Sequence, residues 1–183
     1  MKAVESNLPG VFIIETPTFD DRRGYFREIY QQNKIDAIGI DKNFVQDNLS
    51  RSEKGVLRGL HFQEPSAQGK LIQVVRGEIF DVAVDVRRGS PNFGKWVGLE
   101  LNDTAGTMLW VPEGFAHGFA VLSDLADVIY KVTDYWAPEM EQVIRWDDPD
   151  IGIDWPITDP ILVDKDRDAP TLAETAILPQ FRI

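Results

Sequence analysis

The stretch Glu78-Ile-Phe-Asp-Val-Ala-Val-Asp-Val86 decides the fold class. Its period is two: Phe80, Val82, Val84 and Val86 fall on one face of a strand, and Ile79, Asp81, Ala83 and Asp85 on the other. Similar short runs recur on both sides of it: VFIIE (11–15), YFREIY (25–30), VLRGLHF (56–62), KLIQVV (70–75), WVGLEL (96–101), TMLWV (107–111), GFAVLS (118–123) and DVIYKV (127–132). Many are separated by turn residues such as Gly-Ser-Pro-Asn and Pro-Glu-Gly. Helical pattern is scarce. QQNKIDAIG (31–39) suits one short helix with Gly39 as its stop, and the chain from about Asp147 is rich in Pro and Asp and reads as irregular. Many short strands at even spacing predict an all-β fold, and leave sandwich, barrel and jelly roll open.

At 183 residues the chain is expected to form one domain over 1–183, large enough to bury a core without a disulfide or metal staple. It has no cysteine, which excludes a disulfide scaffold, a thiolate zinc site, an iron–sulfur cluster and a thiol nucleophile. Thirty acidic and 19 basic residues give a net charge of −11, which disfavours non-specific nucleic-acid binding but still allows a local basic cluster to hold a small anion. No stretch approaches the 18 apolar residues of a membrane span, and the N-terminal MKAVESNLPG has no apolar core of a signal peptide, so the cytoplasm is the expected compartment.

Any imidazole chemistry falls to His61 or His117, which are 56 positions apart. With no His-x-His pair, a transition-metal site would have few nitrogens, and no metal is expected. In a regular strand Arg58 and His61 have opposite parity, unless Gly59 marks a bulge that re-aims one of them. The ordinary reading of His61 is a hydrogen-bonded core histidine, and that of His117, between Gly114 and Gly118, a turn histidine packed on Phe115 or Phe119. FVQDNLSRS (44–52) is polar on both faces through Gln46, Asp47, Asn48, Ser50 and Arg51, as suits a solvated edge strand or the polar wall of a pocket. FDDRRGYFREIY, with Arg22, Arg23 and Glu28 around a glycine, reads as a charged hairpin. Tyr130 shares a strand face with Val128 and Val132 and reads as core. Tyr135 and Trp136 form an aromatic pair able to stack a base or cap a core. VDKDRDAP (163–170) reads as a surface charge run.

Taken together and in order, six segments resemble the dTDP-4-dehydrorhamnose 3,5-epimerases of deoxysugar nucleotide biosynthesis. They are DRRGYFREIY, FVQDNLSRSEKGVLRGLHFQ, QGKLIQVVRGEIFDVAVDVRRGSPNFGKW, LWVPEGFAHGFAVLS, YKVTDYWAPEMEQVIRWDDPDIGIDWP and DKDRDAP, and they span about residue 10 to residue 172. The resemblance implies a cupin-type jelly-roll β-barrel with a few short helices, a homodimer, and no metal or organic cofactor. It implies epimerisation at C3 and C5 of dTDP-4-keto-6-deoxy-D-glucose, with epimerisation at only one of those carbons, or nucleotide-sugar binding without chemistry, as the alternatives. By position, His61 would be the general base, Asp166 its carboxylate partner, Tyr130 the opposing acid, and Lys70 a cation near the sugar's C4 oxygen. The Lys-Asp motif selects Asp166 over Asp168. Arg23, Glu28, Gln46, Asp47, Asn48, Arg58, His117, Glu141 and Lys165 would bind the sugar nucleotide. Trp136, often tyrosine in the family, would stack on the thymine.

The implied chemistry needs these residue types. A C4 ketone acidifies the hydrogens on C3 and C5, because the carbanion delocalises onto oxygen. Inversion needs a base on one face of the ring and an acid on the other. Neutral imidazole is available near pH 7, with an unperturbed pKa of about 6.5, while a phenol at about 10 stays protonated and donates. A cation where the enolate oxygen develops supplies the largest kind of stabilisation in such reactions.

Overall fold

In the computed structural model, which describes residues 1–181, the chain runs in order through β1 (Lys2–Glu5), β2 (Phe12–Glu15), β3 (Thr18–Asp21), β4 (Gly24–Arg27), α1 (Gln32–Ala37), β5 (Gln46–Glu53), β6 (Leu57–Gln63), β7 (Lys70–Arg76), β8 (Glu78–Asp85), β9 (Trp96–Asn102), β10 (Thr107–Val111), β11 (Phe115–Val121), β12 (Leu125–Val132), β13 (Glu141–Val143) and α2 (Asp164–Arg167). Two antiparallel sheets face each other. One has the order β1-β2-β10-β7-β12-β5, the other β13-β6-β11-β8-β9, and β3 and β4 form a separate hairpin. Apart from β1-β2 and β8-β9, neighbouring strands in the two sheets are not consecutive in the chain, as a jelly roll requires, which settles the choice the strand pattern left open.

β8 shows how the period becomes layers. Its Ile79 and Ala83 point between the sheets, where they meet Ile72 and Val74 of β7, Leu109 of β10, Phe115 and Phe119 of β11 and Val128 of β12. Its Phe80, Val82 and Val84, with Val86 just beyond the strand, point to the opposite face and are covered by Ile144, Ile151, Trp155, Leu172 and Leu178. The segment beyond Asp147 forms one short helix, α2, among turns and extended chain. It is nonetheless packed, acting as the third layer over the outer face of the five-stranded sheet. Helix α1 does the same for the other sheet, burying Ile35 against Ile14, Leu71, Met108 and Trp110, and the chain turns out of it at Gly39 with φ +92°.

Where structure and expectation differ, hydrogen bonding and packing decide. His117 sits inside β11, not in a turn, because the strand begins at Phe115. YFREIY is strand only as far as Arg27. FVQDNLSRS is both an edge strand and a pocket wall: β5 borders only β12, and its alternate residues Asn48 and Ser50 face a cavity.

Candidate active site

A cavity of about 620 Å³ opens between the two sheets. The six-stranded sheet contributes Asn48 and Ser50 from β5, Lys70 from β7 and Tyr130 from β12; the five-stranded sheet contributes Arg58 and His61 from β6, His117 from β11 and Glu141 from β13. Lys165 and Asp166 of α2 close one side and Trp136 stands at the mouth, more than half exposed.

A backbone irregularity brings Arg58 and His61 to the same wall. Between the pairs His117↔His61 and Phe119↔Arg58, β6 spends three steps where β11 spends two. The extra residue lets both side chains face the cavity while Leu60 and Phe62 face the outer core. Gly59 permits it. Its φ is +120°, and a Cβ there would lie 2.6 Å from the Gly118 Cα and 2.7 Å from the His117 carbonyl oxygen.

The His61 Nε2 lies 2.7 Å from Asp166 Oδ1, and the Gly59 backbone N–H donates to Asp166 Oδ2 at 3.1 Å. Asp168 is exposed at the end of α2, so Asp166 is the partner, as the Lys-Asp motif implied. With Nε2–H donated to the carboxylate, the His61 lone pair lies on Nδ1, and Glu141 Oε1 stands 3.9 Å from that atom. Glu141 in turn accepts from the Lys165 ammonium. Burial pushes the Asp166 carboxyl up, but the bonds from His61 and the Gly59 amide outweigh it and hold the group below the usual carboxylate range.

Across the cavity, the Tyr130 hydroxyl has no partner within the described chain. Burial raises its pKa above the ordinary 10; the charge of Arg58 opposes this and that of Glu141 adds to it. Lys70 donates to the His61 carbonyl at 3.1 Å. Burial pulls its ammonium from 10.5 down to about 8, against the charges of Glu141 and Asp81, which hold it up. The pocket therefore sets an imidazole–carboxylate pair on one sheet against a protonated phenol on the other, with a cation between sheet layers. That arrangement suits proton removal from one face of a ring and return to the other.

The remaining predicted residues divide. Gln46 is not in the cavity wall, but its amide bridges to it, donating to Asn48 Oδ1 at 2.8 Å and accepting from the Trp136 N–H at 3.1 Å. Asp47 points away from Asn48, to the other face of β5, where it binds Lys131 at 2.8 Å. Arg23 lies at the turn of the β3–β4 hairpin on Asp21, and Glu28 pairs with Lys34 at 2.6 Å. The structure does not bring Arg23, Glu28 or Asp47 into this cavity within one chain.

Sequence reasoning missed Asp81, Gln63 and Gln68 as part of the site. Asp81 is fully buried and bonds His117 Nε2 at 2.9 and 3.0 Å. A charged residue in the apolar run of β8 was the available signal. Gln63 accepts from the Ala137 N–H and donates to the Tyr135 carbonyl, and Gln68 donates to the Asp134 carbonyl, so both fasten the aromatic segment at the mouth. Among the described residues, no three carboxylate or imidazole side chains gather as a metal-ligand group.

The family model described as dTDP-4-dehydrorhamnose 3,5-epimerase matches residues 5–174. The chain belongs to the dTDP-4-dehydrorhamnose 3,5-epimerase family. It is 51% identical over 181 residues to the dTDP-4-dehydrorhamnose 3,5-epimerase of Pseudomonas aeruginosa, an alignment covering 98% of this chain and 100% of that one. Among solved structures it is similar to the dTDP-6-deoxy-D-glucose-3,5-epimerase of Legionella pneumophila in complex with dTDP-4-keto-L-rhamnose, at TM-score 0.96 and 46% identity, covering 100% and 99% of the two chains. It is also similar, at TM-score 0.91 and 35% identity over 96% of this chain and 92% of the other, to a 3'-monoepimerase from Streptomyces bikiniensis in complex with dTDP-quinovose. The two-sheet architecture is therefore the cupin-like jelly roll of the epimerase family, as the resemblance implied.

Proposed function

We infer that the chain epimerises C3 and C5 of dTDP-4-keto-6-deoxy-D-glucose to give dTDP-4-keto-L-rhamnose, in dTDP-rhamnose biosynthesis. The observation that carries this is the opposition of His61–Asp166 and Tyr130 on facing sheets of one cavity. A binding module gains nothing from an opposed base and acid.

In the proposed mechanism His61 Nδ1 takes the proton from C3 or C5, and the electron pair moves onto the C4 oxygen as an enolate. Asp166 holds the ring and stabilises the imidazolium that forms. The Lys70 ammonium meets the developing oxyanion in a site shielded from water, where such a charge is most effective. Tyr130 then returns a proton to the same carbon from the opposite face. The base releases its proton to solvent and the phenolate regains one, so each inversion is proton-neutral. Arg58, Asn48, His117, Glu141 and Lys165 are proposed to hold the sugar diphosphate, and Trp136 to stack on the base. Remote binding energy of this kind fixes the sugar for proton transfer.

A homodimer is part of the same proposal. Phe19, Tyr25 and Phe26 of the β3–β4 hairpin are 59%, 59% and 69% exposed, and Leu49 on the outward face of β5 is 67% exposed. Arg27 anchors the hairpin by donating to the Asp103 and Thr104 carbonyls, leaving its tip to project. An exposed apolar arm that carries Arg23, with Glu28 just beyond it, fits delivery of these two residues to the cavity of a second copy.

The similarity to a 3'-monoepimerase keeps a single-carbon epimerase as the competing reading. Incubation with the keto sugar nucleotide in deuterated water separates them. Deuterium at both C3 and C5 is expected, whereas deuterium at one carbon only would select the narrower enzyme.

A further inference from the structure

The cavity holds a second imidazole–carboxylate pair that the mechanism above leaves unused. His117 lies directly opposite His61 in the β6–β11 ladder. Its Nε2 touches both oxygens of Asp81, at 2.9 and 3.0 Å, and its Nδ1 has no partner within the described chain and is not closed off from the cavity. Asp81 has no exposed surface, and His117 is its only hydrogen-bond partner among the described residues. A buried carboxylate with one partner is costly to keep unless its charge serves nearby cations. Lys70 donates to the His61 carbonyl at 3.1 Å, and His61 is the residue paired with His117 across the ladder, so the Lys70 ammonium lies beside this pair.

We propose that Asp81 is a positioning residue of the epimerase site: a carboxylate beneath the cavity that locks the His117 ring through Nε2, presents Nδ1 to the sugar nucleotide, and holds the positive charge of Lys70 where the enolate oxygen forms. This rests on the reading of Lys70 as the cation facing that oxygen. The charged and titratable groups around Lys70 are Arg58 and His61 of β6, His117 of β11, Tyr130 of β12, Glu141 of β13, Lys165 and Asp166 of α2, and Asp81 of β8; the paired stretch of β10 supplies none. Of these, Glu141 and Asp81 are the carboxylates that sustain the ammonium against burial. Glu141 is also engaged by Lys165, whereas the one hydrogen-bond partner of the Asp81 side chain among the described residues is the His117 ring.

The test follows the Lys70 charge directly. Protein carrying 13C-labelled lysine is titrated by NMR, with the Lys70 signal assigned by its loss in Lys70→Met. The wild-type signal should titrate near 8. In Asp81→Asn, which keeps the side chain's shape but not its charge, it should titrate about one pH unit lower. The alkaline fall of kcat should move down with it, and KM should rise. His117→Gln should raise KM while leaving the Lys70 titration in place. A Lys70 titration that is the same in wild type and Asp81→Asn would overturn the proposal. A titration that moves while the kcat profile stays put would instead contradict the reading of Lys70 as the enolate's cation, leaving the hold of Asp81 on its charge intact. Thermal melting checks that Asp81→Asn is folded, and the smaller neutral Asp81→Ser serves in its place if it is not.

Discussion

Asp166 does two jobs with one carboxylate: Oδ1 takes the His61 ring and Oδ2 takes the Gly59 amide. The proposed base and the backbone irregularity that aims it are therefore tied to the same group. Asp166→Asn should leave the fold intact but offer His61 an amide N–H in place of an acceptor, favouring the wrong tautomer. By analogy with other histidine–carboxylate pairs, kcat should fall by as much as about 10⁴-fold, measured by steady-state epimerisation. The lowered folded-state pKa of Asp166 also has a defined sign. Its contribution to stability is fully present above the ordinary carboxylate pKa of about 4 and is lost as pH falls below that, through the folded value. Thermal melts between neutral and acid pH should show that loss in the wild type and a smaller one in Asp166→Asn. At the cavity mouth, Trp136→Ala should weaken dTDP binding by roughly 1–3 kcal/mol, read by calorimetry, without changing the exchange rate at saturation by as much. An unchanged dissociation constant would remove Trp136 from the base site.

At the scale of elements, β6 is where the sequence and the structure inform each other most. Strict alternation in VLRGLHF sets Arg58 and His61 on opposite faces, and the glycine between them marks the one place where that could fail. The three-against-two register beside Gly118 is how it fails. Gly59→Ala should therefore cost more than a loop glycine would. A positive φ alone costs roughly 1–3 kcal/mol for a side-chain-bearing residue, and the contacts at 2.6 and 2.7 Å are to backbone, which cannot swing aside. Denaturant unfolding should show the loss, and surviving protein should have lost exchange activity. β8, β7, β10 and β12 were legible because their alternation is strong and their ends carry turn residues. β1 and β13 were not, since KAVE and EQV, unlike FIIE of β2, hold no run of large apolar residues to mark a strand. Asp81 was legible as a residue of β8 and not as part of the site. The pattern gives its face, but only the fold sets that face against His117 and Lys70.

For the whole molecule, the net charge of −11 must coexist with a dianionic ligand. The structure resolves this locally: Arg58, Lys70 and Lys165 converge on one cavity, so steering there differs from the average field. The placement of Arg23 and Glu28 outside that cavity was invisible in the sequence, because order along the chain does not say which way a hairpin projects. If the hairpin completes a partner's site, sedimentation should give a dimer, and Phe26→Ser should weaken both association and substrate affinity. A monomeric protein with full activity would contradict the arm's role. The central claim is the opposition of His61–Asp166 and Tyr130 across one ring. It is tested most directly by following deuterium from solvent into C3 and C5 of the keto sugar nucleotide, in wild type and in His61→Ala. Incorporation at both carbons in the wild type and at neither in His61→Ala is the predicted result. Undiminished incorporation at either carbon in His61→Ala would contradict it.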